Sequence, residues 1–197
     1  MRLAIIGNAP YSNIKIGDYI DSFDDIVRFN YYTLKGHEEF IGSKTTIWAF
    51  HDRIFQNITT RHKQQYELFL KERKVLIRTH GDIKGKLKEV YNANSPKGRF
   101  DIINWKMVKN LQDILGSNPS TGMCVLHRLL YDYDEIFYYG LGKLNQCSYH
   151  HYFSTTKSKG KEHLSHNGFN ELEYINKLEQ ENDHIHTINI KLKKYLY

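Results

Sequence analysis

Short apolar runs alternate along this chain with helix-like polar stretches, and that alternation constrains its fold more than any other feature. Arg2 to Ile6 is the first run, and it leads straight into Gly7-Asn8-Ala9-Pro10. This is the strand-then-turn pattern by which a parallel strand delivers a loop to a ligand. Ile26 to Asn30 follows, with Gly17 to Phe23 between them long enough for a small helix, so the first thirty residues make one β-α-β unit. Thr45 to Phe50, Val75 to Arg78, Glu135 to Tyr139 and His184 to Ile190 supply further strands. The charged stretch Thr60 to Glu72, Ile102 to Leu115, Met123 to Tyr131 and His166 to Gln180 have helical spacing. Strands alternating with helices predict an α/β sandwich with a mainly parallel central sheet flanked by helices. Asp82 to Phe100 mixes Lys, Gly, Asn and Pro96 and is expected to be irregular and mobile.

At 197 residues the chain is expected to form a single domain. A ligand-binding core is expected at about residues 1–50 and 115–190, with a second-substrate or mobile region at about 80–101. Its residues are 40% hydrophobic and 25% charged, without an apolar run near the ~18 residues that a membrane-crossing helix needs. The amino terminus enters a strand with no secretion-signal pattern, so a cytoplasmic location is expected. Cys124 and Cys147 are too few for a disulfide scaffold and are expected to be reduced. The net charge of +6 favours anionic ligands such as nucleotides, phosphorylated sugars or acidic lipid headgroups. It does not favour nucleic acid in particular, because the basic residues are scattered and no RNA-recognition signature is present.

A nucleotide or nucleotide sugar needs neutral donors, exposed backbone N–H groups and few carboxylates. Gly7-Asn8 after the first strand and Ser120-Thr121-Gly122 at a helix start both offer them. Ser120 equally suits a plain helix cap, and spacing alone leaves both readings open. His151 and His166, in and beside a late polar loop, have a ring that accepts a proton near pH 7 or holds a phosphate when charged. Asp132-Tyr133-Asp134 spells a D-x-D but falls at a helix end, where a solvated turn explains it. His163-x-x-His166 and His184-x-His186 lack the partners of a zinc site. No metal is expected at either.

These pieces together resemble the motifs of the animal-type sialyltransferases, glycosyltransferase family 29. Ile5-Ile6-Gly7-Asn8, Ile20 to Asn30 and Ile41-Gly42-Ser43-Lys44-Thr45-Thr46 resemble the family's large sialylmotif. Asn118 to Met123 with Tyr133 to Gly140 resembles the small one, His151-Tyr152-Phe153 the third motif, and His166-x-x-x-x-Glu171 the very small motif. The four stand in the family's order.

The resemblance implies a GT-A-like fold of the sialyltransferase variant and an inverting, metal-independent transfer of sialic acid from cytidine monophosphate (CMP)-sialic acid to a glycan hydroxyl. No cofactor is implied. Gly7, Asn8 and Asn30 match the residues that hold the CMP part of the donor, and Ser120, Thr121 and Gly122 the loop on its cytidine and ribose. His151 matches the histidine on the donor phosphate, with His150 a competing candidate. His166 matches the general base, and Glu171 and Tyr152 match supporting positions. A donor carrying a different CMP-linked ulosonic acid, such as 3-deoxy-octulosonate, and a nucleotide-binding relative without turnover are the alternatives. Leu3 and Leu130 fall near where animal members carry a disulfide, which points to a short bacterial or viral-type member. The tail Lys191 to Tyr197 interleaves lysines with apolar residues and suits peripheral contact with an anionic membrane face.

Overall fold

The computed structural model describes residues 1–11, 13–55, 73–141, 152 and 166–188. Among these residues seven strands form one sheet: β1 (Arg2–Ile6), β2 (Asp25–Phe29), β3 (Ile47–His51), β4 (Lys74–Arg78), β5 (Phe100–Ile103), β6 (Glu135–Tyr139) and β7 (Ile185–Thr187). Every pairing is parallel, in the order β5-β4-β3-β2-β1-β6-β7. Helices pack on it: α1 (Gly17–Asp21), α2 (Glu38–Ile41), α3 (Gly85–Asn94), α4 (Trp105–Leu115), α5 (Thr121–Leu129) and α6 (Gly168–Glu181).

A parallel sheet covered on both faces needs strands that are apolar throughout, and these are. Successive side chains serve opposite faces. Leu3, Ile5, Val27, Phe29, Ile47, Ala49 and Leu76 join the cluster built with Val108, Leu111, Leu126 and Ile175 of α4, α5 and α6. Ala4, Ile6 and Ile26 face Ile20, Phe23 and Ile41 on the other side. Trp48, Phe50, Val75 and Ile77 continue that second face toward the β5 edge with Leu87 and Phe100. Leu3 and Leu130 both lie in the first cluster.

Much of the early motif sequence is scaffolding. The buried Arg28 guanidinium on β2 donates to the carbonyls of Ile41 (2.7 Å), Gly42 (3.2 Å) and Lys44 (3.1 Å) and to the Thr45 hydroxyl (3.1 Å). From the end of α1, Asp21 accepts the backbone N–H groups of Ser43 and Lys44. A buried charge is tolerated when its donors are filled in this way. The segments 20–30 and 41–46 are therefore one interlocked unit that fixes the far ends of β2 and β3.

Two expectations change. Asp82 to Phe100 is not irregular: it contains α3, a short 3-10 turn at Ser95–Lys97 and the start of β5. The helix forms there because Gly85 to Asn94 contains no proline, and Pro96 and the left-handed Gly98 (φ 67°) end it. Ile102 to Leu115 is not one helix, since Phe100–Ile103 pairs with β4 and Asn104 caps α4 by accepting the Met107 N–H at 3.0 Å. The helix expected over Thr60 to Glu72 and the tail after residue 188 lie outside the described residues.

Candidate active site at the carboxyl ends of the strands

Strand order reverses direction at β1, whose neighbours are β2 on one side and β6 on the other. Chain connections leave in opposite directions from such a switch point, opening a crevice above the carboxyl ends of the two strands, where ligands of open α/β sheets bind. Gly7 follows β1 and Gly140 follows β6. The Gly7 N–H donates to the Tyr139 carbonyl at 2.7 Å. A Cβ on Gly7 would lie 2.2 Å from the Gly140 carbonyl oxygen, so only glycine permits this approach. Leu141 lies against both Gly7 and Gly122, a Cβ on which would come within 3.0 and 2.7 Å of its Cδ2 atom. The turn after β1 and the start of α5 thus both close on the Cδ2 methyl of one leucine.

On the β2 side, Asn8 spends both side-chain hydrogens on the carbonyls of Phe29 (3.1 Å) and Tyr31 (3.0 Å). What its side chain offers a ligand is therefore an acceptor, Oδ1, suited to a hydroxyl or amino group. Asn30 has the reverse arrangement. Its Oδ1 accepts the His51 N–H at 3.2 Å, which leaves its amide hydrogens as donors. Asn30 sits at φ 48°, the left-handed region that asparagine tolerates better than other side-chain-bearing residues. Tyr152 packs over this loop: its N–H donates to the Asn8 carbonyl (2.9 Å), and its half-buried hydroxyl donates to the Thr33 carbonyl (2.5 Å).

On the α5 side, Ser120 caps the helix by accepting the Met123 N–H at 3.2 Å. It is also gripped by Glu171 of α6, whose Oε1 accepts the Ser120 N–H (2.5 Å) and whose Oε2 pairs with its hydroxyl (3.0 Å). Glu171 is fully buried. Burial raises its carboxyl to about 7 against the opposing pull of the Ser120 donors and Arg78. Ser120 is thus a helix cap held in place from α6, beside Thr121 and Gly122.

His166 is fastened to the same loop. Its Nδ1 lies 2.9 Å from the Asn118 carbonyl, an acceptor only, so Nδ1 carries the proton and the neutral ring presents Nε2 as its basic nitrogen. Asn118 is oriented in turn by the buried Arg78 at the end of β4, whose Nη2 donates to Asn118 Oδ1 at 3.0 Å. Arg78 is thus a positioning residue that motif matching did not find. Its only sequence signal is a cation closing an apolar strand.

The structure brings Gly7, Asn8, Asn30 and Tyr152 to one side of the switch point and Ser120, Thr121, Gly122, His166 and Glu171 to the other. His150 and His151 lie outside the described residues. Asp132 and Asp134 precede β6 and so lie at the opposite end of the sheet, where Asp132 pairs with Arg128 at 2.8 Å. Cys124 is buried in the core, its thiol pushed up to about 11 by burial. No described helix is long and apolar enough to cross a membrane.

The chain is similar in sequence and in fold to known sialyltransferases. The mouse CMP-N-acetylneuraminate-beta-galactosamide-alpha-2,3-sialyltransferase 2 is 26% identical over 172 residues, covering 81% of this chain and 48% of its own. The pig type 1 enzyme of the same name is 26% identical over 174 residues, covering 81% and 49%. The chain spans about half the length of these relatives. A mammalian sialyltransferase solved with Gal-beta-1-3GalNAc-ortho-nitrophenol superposes with a TM-score of 0.62 at 21% identity, over 95% of this chain and 68% of that one. The Campylobacter jejuni sialyltransferase CstII, solved with the substrate analogue CMP-3FNeuAc, superposes with a TM-score of 0.58 at 16% identity, over 95% and 81%. These superpositions establish a shared fold. The sequence pattern of glycosyltransferase family 29 (sialyltransferase) matches residues 2–183, and the chain belongs to that family.

Proposed function

We propose that this protein transfers sialic acid from CMP-sialic acid to a hydroxyl of a glycan acceptor, inverting the anomeric carbon and using no metal. The observation that carries the reading is His166. A histidine locked by Nδ1 to the loop of the helix-α5 cap, next to the sheet's switch point, has the tautomer and the place of a general base.

In this reading the nucleotide lies between the Asn8–Asn30 side and the Ser120–Gly122 side. Asn8 offers an acceptor and Asn30 donors, while Ser120, Thr121 and Gly122 at the start of α5 lie on the cytidine and ribose. As the C–O bond between the anomeric carbon and the phosphate lengthens, positive charge grows on the sugar and negative charge on the departing CMP. His151 donates to that phosphate, a contribution on the order of 3 kcal/mol for a preorganised donor. His166 Nε2 takes the acceptor hydroxyl's proton from the opposite face, worth about a hundredfold or more in rate. Glu171 holds Ser120, and Tyr152 holds the Asn8 turn, so both support the site without touching the reacting atoms. A CMP-linked 3-deoxy-octulosonate donor would engage the same nucleotide groups. Residues 80–101 are assigned to the acceptor side, supported by two cavities of about 490 and 600 Å³ lined from this region. A cytoplasmic location with contact between the 191–197 tail and an anionic membrane face belongs to the same proposal; equal vesicle co-sedimentation with and without the tail would end the membrane part.

The test combines binding and turnover. CMP should raise the melting temperature where UMP and GMP do not, because a ligand at ~100 times its dissociation constant adds ~2.7 kcal/mol. With CMP-sialic acid and a galactoside acceptor, His166→Ala should lose at least a hundredfold in kcat while keeping the CMP shift. Equal stabilisation by all three nucleotides refutes the donor assignment. CMP binding without turnover on either ulosonic acid donor refutes the enzyme reading and leaves a nucleotide-binding relative.

A further inference from the structure

The carboxyl ends of β3 and β4 bring together three side chains that the proposed transfer does not use. His51 closes β3, Asp52 follows it, and His80 lies two residues beyond β4. The two rings sit with centroids 4.0 Å apart, and their Nε2 atoms face each other at 3.0 Å. Asp52 Oδ1 lies 3.0 Å from His80 Nδ1 and 3.3 Å from His51 Nδ1, and its Oδ2 accepts the His80 backbone N–H at 2.9 Å. One ligand atom from each of the three residues falls within 4.8 Å of the others.

The surrounding bonds fix the protons. The Arg53 N–H donates to His51 Nδ1 at 3.1 Å, so the neutral His51 ring carries its proton on Nε2. His80 Nδ1 donates to Asp52, so His80 presents the lone pair of Nε2 to that proton. A single proton therefore joins two converging imidazole nitrogens, and a cation can replace it. Tetrahedral coordination at bond lengths of ~2.0–2.1 Å would require the nitrogens about 3.3 Å apart, a widening of roughly 0.3 Å, together with a tilt that spreads the ring centroids beyond their present 4.0 Å. Asp52 on His80 Nδ1 already supplies the carboxylate that orients a metal-binding imidazole from behind.

We propose that His51 and His80, backed by Asp52, bind one borderline divalent transition-metal ion of the zinc or copper kind. The charges nearby select the class. Arg53 and Arg78 both face the cluster and oppose the single carboxylate of Asp52. Hard ions such as magnesium and calcium, which bind by charge to oxygen, are disfavoured there. Ions that bond strongly to neutral imidazole are tolerated. The three side chains are 17–19% exposed, and the cavity of about 490 Å³ lined by Asp52 and Arg53 supplies an approach. Trp105 covers His80, with ring centroids 6.1 Å apart. The ion would tie β3 to β4 next to Asn30, which accepts the His51 N–H, and would take no part in bond breaking.

The chain contains eleven histidines, so adventitious binding is the outcome to exclude. Chelator-stripped full-length protein is titrated with Zn²⁺ against a chromophoric chelator, using the wild type, His51→Ala, His80→Ala, Asp52→Asn and, as a control on the far edge strand, His186→Ala. One ion per chain is expected in the wild type and in the control. Each of the His51 and His80 variants should weaken it at least tenfold, and Asp52→Asn about ten- to a hundredfold. Metal-free circular dichroism checks that each variant folds. If either histidine variant does not, Cu²⁺ electron paramagnetic resonance on the wild type and on His186→Ala replaces it, with two coupled imidazole nitrogens in both supporting the site. Absence of stoichiometric Zn²⁺ binding below about 100 µM, unchanged binding in both histidine variants, or fewer than two coupled nitrogens overturns it.

Discussion

Glu171 gives the sharpest test of how the site is assembled. Its carboxylate is buried without exposure and held at about 7 instead of the ordinary 4.5. A raised folded-state value means that the stability associated with this group is fully present below pH 4.5 and is lost as pH rises through 7. At ~1.36 kcal/mol per tenfold change in proton affinity, the loss is about 3 kcal/mol. Glu171→Gln removes the titration and keeps the geometry, since the amide oxygen accepts the Ser120 N–H and an amide hydrogen reaches the Ser120 hydroxyl. Near pH 5 the wild type is protonated there and makes the same two bonds, so variant and wild type should unfold at similar denaturant concentrations. By pH 8 the variant should be the more stable by about 3 kcal/mol, or roughly 6–12 °C in melting temperature for a chain of this size. Denaturant titrations at pH 5, 6, 7 and 8 measure the difference directly. A gap that stays constant across that range would mean that Glu171 ionises freely in the folded protein, and the account of a desolvated carboxylate gripping the cap of α5 would be wrong.

Gly7→Ala places a Cβ 2.2 Å from a backbone oxygen and should destabilise the fold by about 3 kcal/mol, whereas Gly122→Ala meets only the movable end of Leu141 and should cost nearer 1 kcal/mol; thermal melts compare them. Asn30→Ala should be about 1 kcal/mol less stable than Asn30→Gly, because alanine pays for the left-handed backbone that glycine adopts freely, while both lose the His51 contact and weaken CMP binding alike in calorimetry. Arg78→Met removes the donor that orients Asn118 and should lower kcat about ten- to a hundredfold with little change in donor KM. Its stability should fall by about 1–3 kcal/mol, because Asn118 Oδ1 loses its donor and the buried Glu171 loses the positive charge beside it.

The strands that carry the site were legible because a parallel strand buried on both faces is an unbroken apolar run. Arg2 to Ile6 and Glu135 to Tyr139 were found with their observed bounds. β5 was not, because its four residues include Asp101 and merge without a break into the apolar spacing of α4, so period alone could not separate them. Helix α3 was hidden by its composition, since lysines and asparagines make a weakly amphipathic surface helix resemble a loop. At the site, Gly7, Asn8, Asn30, Ser120 and His166 were named from local motifs. Arg78 and the His51–Asp52–His80 cluster were not, because their partners lie on different strands, 29 residues apart for the two histidines, and only the sheet brings them together.

Because β1 lies inside the sheet yet is made before both of its neighbours, the order of synthesis matters. As the ribosome delivers the chain, β2 to β5 extend the sheet on one flank only, while the other edge of Leu3 to Ile6 waits more than a hundred residues for β6. Until then that edge is an open, apolar template for pairing with another nascent chain. Chains truncated before residue 135 should therefore aggregate, and those extended past β6 should stay in solution.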